Sequence, residues 1–353
     1  MSENVQESYR EHFARSRAKK ILFIVLGTAV CFILALYSVT LGTYSMSIGD
    51  AFCALLGIGN VDPTTVHIVR DLRLPRILGA VICGFALAVC GAAMQSMLKN
   101  PLADPYTMGI SSGAGLGAAL AIIAGFELVA GGGIVINAFI FALIPAAIIT
   151  AITKVRKPTP TMMVLCGIAL TYIFSALTQL FMIIADPDDM SAVYHWTIGT
   201  LDTVGMEDLA TILFVTVLGS MYIMYMSNQL NILGMGDESA RSLGINVERR
   251  RLILLLVISL VAATVVSFTG VIGFVGLVAP HIVRTVLGAD NRYLVPASGI
   301  AGATLLLISD IVCRLAAIYL NSHISLPVGV ITACLGGPLF IYLLIKSRKE
   351  TWS

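Results

Sequence analysis

The stretch Ile77–Met97, ILGAVICGFALAVCGAAMQSM, runs 21 residues without one charge and is entered through Arg70, Arg73 and Arg76. A helix needs about 20 apolar residues to cross a hydrocarbon core of ~30 Å, so this segment reads as a membrane span with an arginine-rich mouth. Working outward, the same pattern recurs along all 353 residues: 58% are hydrophobic, 12% are charged and the mean hydropathy is +0.92. Soluble domains carry about 25% charged residues. The composition predicts an all-α, polytopic membrane protein and leaves no room for a large soluble domain.

Ten spans are expected. They are Ile21–Thr40, Ile77–Met97, Met108–Phe126, Ile134–Thr153, Thr161–Ala185, Leu209–Ser227, Leu252–Thr269, Val271–Gly288, Tyr293–Leu320 and Val328–Ile345. The seventh and eighth are nearly fused. The polar lead before Ile21 holds Glu3, Glu7 and Glu11 and no small-x-small cleavage site, so the first span reads as retained.

With an even number of spans and an interior N-terminus, eighteen of the 22 lysines and arginines fall inside, including Lys154, Arg156, Lys157, Arg348 and Lys349. The positive-inside rule then places both termini in the cytoplasm. Arg70, Arg73, Arg76 and Arg314 are the exceptions, at the exterior mouth beside Asp62, Asp186, Asp188, Asp189 and Asp202. Arginine there works against insertion bias, which points to an acidic ligand or an acidic protein surface.

The residues argue against catalysis by the chain itself. A nucleotide-hydrolysing P-loop requires a Gly-Lys pair, and the sequence has none. Gly113, Gly115, Gly117 and Ala118 match a loose dinucleotide signature but sit inside a span, where close helix packing explains them; Gly79, Gly84, Gly91, Gly270, Gly273 and Gly276 read the same way. The seven cysteines show no metal or CxxC spacing and read as apolar filler. His67, His195 and His323 are scattered, so neither a metal nor a cofactor is expected.

Ionisable groups inside a span are functional suspects, because each costs about 2.5–3.5 kcal/mol at mid-bilayer even on mild scales. Asp310 and Arg314 lie four apart, on one helical face, where they can neutralise each other. That pairing makes Asp310 a poor proton-cycling carboxylate for an ion-coupled secondary transporter, the competing functional class. His281, after Pro280, reads as a hydrogen-bonded structural histidine.

The longest internal hydrophilic break is Asn228–Arg251. Within it, Gly236–Gly244, GDESARSLG, predicts a short surface helix: Asp237 and Glu238 favour a first turn, Ala240 and Leu243 make an i,i+3 apolar face, and Gly244 suits a C-terminal stop. Such a helix on the cytoplasmic face can receive a push from a soluble motor.

These stretches together resemble the FecCD family of ABC permeases, which import iron-siderophores, haem and cobalamin. The resemblance rests on Leu72-Arg73-Leu74-Pro75-Arg76, GAAMQ at 91–95, NPLADP at 100–105, GISSGAG at 109–115, GDESARSLG at 236–244, GVIGFVGLVAPHIVR at 270–284, LPVG at 326–329 and Gly336-Gly337-Pro338. It implies a fold like that of cobalamin-importer permeases: a polar segment 1–20, one permease domain over 21–345 with a coupling loop at 228–251, and a tail at 346–353. It implies a second permease copy, two cytoplasmic ABC ATPases, an extracytoplasmic binding protein and no nucleic acid.

By the same resemblance, Arg73, Arg76 and Arg314 match positions that meet acidic residues of the binding protein, whereas Arg70 has no counterpart. Gly236, Asp237, Glu238, Ala240, Arg241, Leu243 and Gly244 match the ATPase-coupling loop. Pro160 and Thr161 fall at the inner gate of the fifth span, which lines the pathway, and Pro160 departs from the hydroxyl-rich pattern there. Iron-siderophore is the expected cargo, ahead of cobalamin, haem and molybdate.

Overall fold

The computed structural model describes residues 3–153, 155, 158–320 and 326–346, the side chains of 3–16, 343, 344 and 346 excepted. Lys154, Arg156, Lys157, His323, Arg348 and Lys349, and with the last two most of the expected tail, lie outside the described residues.

Every regular element among the described residues is a helix. The chain opens with α1 (Glu3–Thr40), α2 (Ile48–Leu56), α3 (Pro63–His67) and a π-helical turn, Ile68–Arg73, leading into α4 (Leu74–Leu98). A 3₁₀ turn, Pro105–Met108, precedes α5 (Ile110–Ala124), α6 (Gly133–Ile152) and α7 (Pro160–Ile184). Then come α8 (Pro187–Ile198), α9 (Met206–Tyr225), α10 (Ser227–Met235) and α11 (Asp237–Ser242). The chain continues through α12 (Val247–Thr269), α13 (Val275–Leu287), α14 (Asn291–Tyr319) and α15 (Val328–Lys346).

All ten expected spans are present as helices. Seven are long and apolar enough to cross a membrane, and Ile110–Ala124, Val275–Leu287 and Val328–Tyr342 are shorter apolar helices. The shortening has local causes. Asp104 caps the 3₁₀ turn by accepting from the Thr107 N–H, and Gly109, at φ +86°, lets the chain turn before α5 begins. The boundary between the seventh and eighth spans falls at Gly270, φ +67°, after which the chain stays non-helical until α13 starts at Val275. The break costs α13 a turn.

Helix α4 is the axis. Every residue from Ala86 to Leu98 is buried, as expected of a helix apolar on all sides. Small residues let its neighbours close in, since lipid supplies no hydrophobic drive between helices. A Cβ on Gly84 would come within 2.5 Å of the Gly302 carbonyl oxygen on α14, and one on Gly91 would collide with the Gly276 carbonyl on α13. The suspected nucleotide signature is a packing seam as well: Gly113 and Gly117 of α5 lie against the Phe141 and Asn137 carbonyls of α6, leaving 2.5 and 2.6 Å for a Cβ. Gly79, Gly115 and Gly273 do not serve this role; the first two make ordinary contacts and Gly273 has open space.

A second glycine junction ties distant segments. Gly199 (φ +77°) abuts the Val271 carbonyl, Gly270 abuts the Trp196 carbonyl and Gly329 abuts the Ile198 carbonyl. Thr200 N–H donates to Thr269 O at 2.8 Å and Gly329 N–H to Gly199 O at 3.1 Å. This junction fixes the loop after α8, and with it Asp202.

Candidate docking and coupling sites

The four exceptional arginines gather at the N-terminal end of α4, and three of them cap helix ends. Arg70 donates to the Ala54 carbonyl at 2.8 Å and to that of Leu55, closing α2. Buried Arg73 donates to Val39 O and Tyr44 O, each at 2.8 Å, and pins the chain where α1 ends. Arg314 donates to Ser38 O at 2.9 Å and to Leu41 O, bonds the Ser38 hydroxyl and pairs with Asp310 one helical turn back. The last carbonyls of a helix have no intrahelical donor, and an arginine fork satisfies them. Internal acceptors therefore account for part of the charge anomaly.

Arg76 differs from the others. Its guanidinium bonds two carboxylates, Asp310 through Nε and Asp202 through Nη1. Asp310 is 0% exposed and bridges Arg76 to Arg314, so the expected pair forms and gains a third member. Arg73, Arg76, Arg314, Asp71 and Asp202 line one cavity of about 470 Å³, into which Arg76 presents its partly accessible fork. The structure thus brings Arg73, Arg76 and Arg314 to one place, with Arg76 the most accessible to an incoming acid. Asp202, 126 residues from Arg76, is the member that sequence reading missed. Its place among acidic loop residues gave no sign of its partner.

The opposite end of α4 meets the predicted short helix. Helix α11 starts at Gly236, whose φ of +128° and ψ of 153° suit only glycine, and ends in a Schellman motif: Ile245 N–H to Ala240 O at 3.0 Å, Gly244 N–H to Arg241 O at 2.9 Å, with Gly244 at φ +79°. The expected Ala240/Leu243 face does not form. Ala240 is fully buried, while Leu243, the residue at which the helix has already ended, is 62% exposed. Glu238 is exposed, and Arg241 reaches Glu248 at 2.7 Å.

Asp237 is held by Arg251 through a bidentate pair at 2.6 and 2.8 Å, with Lys99 at 3.9 Å. The Arg251 fork outweighs partial burial, which acts in the opposite direction, and keeps the Asp237 carboxyl below its ordinary pKa. Arg251 itself is 1% exposed, in the first turns of α12, and sequence reading had counted it only as a cytoplasmic charge. One signal was available: it is the third arginine of a run entering an apolar helix, where one turn face must point inward.

Beside this end, Pro160 takes the first position of α7 and Thr159 caps it by accepting from the Met162 N–H at 3.2 Å. A proline at that position lacks only an N–H that would be unpaired anyway, which explains the departure from a hydroxyl. Thr161 is exposed. Further along α7, Thr171, Ser175, Thr178 and Gln179 face Ser111 and Ser112 of α5 across a cleft of about 270 Å³ whose lining has no ionisable side chain.

His281 departs from expectation. It is buried, neither ring nitrogen has a hydrogen-bond partner among the described residues, and the ring meets Phe340 edge-on at 5.6 Å. Among the described residues no cluster of His, Cys, Asp or Glu is placed to hold a metal.

Known proteins agree with this architecture. An ABC transporter permease protein of Methanocaldococcus jannaschii is 42% identical over 94% of this chain and 96% of its own length. The hemin transport system permease of Yersinia pestis is 37% identical over 90% and 93%. Other relatives are permeases for cobalamin, ferric citrate and molybdate import. A solved metal-chelate type ABC transporter in an inward-facing conformation is 30% identical, with a TM-score of 0.81 over 92% of this chain and 98% of that one. Together with the match of the FecCD transport family to residues 29–346, these likenesses make the chain a member of that family, the multi-pass permease of a type II ABC importer for metal chelates.

Proposed function

We propose that this permease imports an iron(III)-siderophore delivered by an extracytoplasmic binding protein and driven by two cytoplasmic ABC ATPases. The observation that carries the docking half is Arg76, a guanidinium bonded to carboxylates alone at the edge of a cavity. A carboxylate of the binding protein is the chemical equivalent of Asp202 and can take its place on the fork. Arg73 and Arg314 complete the docking set by holding the surface in shape. In this reading both termini, α11 and Lys99 face the cytoplasm.

The coupling half rests on Gly236–Gly244. Glu238 and Leu243 are its exposed contacts for an ATPase, and Asp237, Ala240 and the two glycines fix the helix to the bundle. Cargo would pass beside α7, whose outer residues Leu165, Tyr172, Ile173, Leu180 and Ile183 are exposed in the single chain and face a second copy. The neutral, hydroxyl-rich cleft along α7 suits a bulky chelate bound weakly enough to leave, and Pro160 and Thr161 form its inner gate. ATP closes the ATPases, the motion enters through α11, and the bundles alternate access.

Uptake into proteoliposomes holding permease, ATPase and binding protein tests this directly. Labelled ferric siderophore is expected to accumulate on ATP addition. Accumulation of cobalamin, hemin or molybdate in its place would reassign the cargo, since relatives carry each. Uptake without any ATPase, abolished by a protonophore, would instead establish the secondary-transporter class; Asp310, fixed between two arginines, argues against it.

A further inference from the structure

Among the described residues Arg251 is the largest side chain fully enclosed by the protein, and its fork reaches three separate segments. Nη1 and Nη2 clamp Asp237 at the head of α11; Nη1 also reaches the Pro158 carbonyl at 3.3 Å, and Nε the Met97 carbonyl at 3.5 Å. Pro158 lies two residues before the gate position Pro160, and Met97 lies at the end of α4. One planar group thus joins α11, the start of α7 and the end of α4.

We infer that Arg251 is the positioning residue that transmits movement of α11 to the gate at Pro160 and Thr161. This inference rests on the reading that α11 receives the ATPase. An ion pair with an enclosed member is a poor source of stability, because desolvation offsets much of the attraction and apolar side chains replacing both partners would pack as well or better. What a guanidinium supplies is direction: rigid donors that hold several acceptors at fixed angles. With the fork in place, a shift of Asp237 moves the Pro158 carbonyl. Without it, α11 is tied to the gate by ordinary packing alone.

The test uses the permease–ATPase complex in nanodiscs, with Cys53, Cys166 and Cys334 replaced by serine and Thr161→Cys as reporter at an exposed gate position. Two quantities are read together: ATP hydrolysis, and the change that ATP produces in the rate of maleimide labelling at position 161. In Arg251→Met the labelling change per ATP hydrolysed is expected to fall by about tenfold, the size of a coupling free energy lost between two sites. Arg251→Lys, a point charge without a fork, is expected to recover only part. A purely structural role would lower assembly and both readouts together and leave their ratio unchanged, and that result overturns the inference. If Arg251→Met does not assemble, Asp237→Asn weakens only the α11 arm of the fork, and the same fall is expected; an unchanged ratio again overturns it. Failure of the parent complex to hydrolyse ATP with any ATPase would refute the importer reading instead.

Discussion

At one end of α4 the enclosed ion is a carboxylate, Asp310, and the accessible one is Arg76; at the other the enclosed ion is Arg251 and the accessible one is Asp237. The two clusters meet α4 at Arg76 and at Met97, about 32 Å apart along the helix axis. They are built from the same bond with its polarity exchanged. The bundle thereby offers a cation toward the side proposed to receive an acidic partner, and an acidic helix toward the side proposed to receive the motor. The first cluster holds two arginines on one buried acid, while the second holds one arginine on three chain segments. The difference suggests a latch at the first end and a joint at the second.

The comparison can be broken most sharply at Asp310. Asp310→Asn leaves Arg76 and Arg314 without their shared buried counter-charge, and a loss of about 3–5 kcal/mol is expected in denaturant unfolding of the purified protein. A loss under 1 kcal/mol would mean that the first cluster is not a latch. Asp237→Asn strands one arginine instead of two and should cost less than Asp310→Asn in the same assay. Because the folded Asp237 carboxyl titrates below its ordinary value, the stability it lends is complete above about pH 4, where the unfolded carboxylate titrates, and is lost as pH falls through the depressed folded value. Acid unfolding profiles of parent and variant should therefore converge at low pH.

Arg76→Gln tests docking. Loss of a charge-assisted bond of about 1.5–3 kcal/mol predicts an affinity for the binding protein weaker by about 10- to 150-fold, read by surface plasmon resonance on nanodiscs. Arg73→Gln should instead loosen the turn after α1, shown by faster proteolysis between residues 40 and 47, because its acceptors are the Val39 and Tyr44 carbonyls and the Met46 sulfur, all at that turn. Equal docking defects without that proteolysis would return Arg73 to the direct contact set. The smallest effect on stability belongs to Leu243→Asp: at an exposed site the change should stay within about 0.5 kcal/mol, yet pull-down of the ATPase should drop sharply.

Much of this was legible in the sequence because it is local. Ten apolar runs give ten helices, Gly244 stops α11, and Asp310 meets Arg314 because four residues make about one helical turn. Arg73, Arg76 and Arg314 also line one cavity, while Arg70, the fourth member of the charge anomaly, does not. What stayed hidden is long-range. Arg76 finds Asp310 across 234 positions and Arg251 finds Met97 across 154, and no local pattern encodes either meeting. Nor could composition tell which arginines close helix ends and which bond carboxylates, since Arg314 does both. Leu243 failed as a face residue because the glycine stop turned it outward.

The junction of Gly199, Gly270 and Gly329 has a bearing on how the protein is made. In the order of synthesis Arg76 precedes Asp202, Asp202 precedes Asp310, and Gly329 follows all three, so the loop bearing Asp202 gains its bond from the Gly329 N–H to Gly199 O only after both acids have been made. Until then Arg76 has Asp310 as its partner, while the loop that carries its second carboxylate, Asp202, lacks that tie. A nascent permease stalled before Gly329 would hold Asp202 on a looser loop and leave Arg76 less fully paired than in the finished fold, a mark that quality control could read.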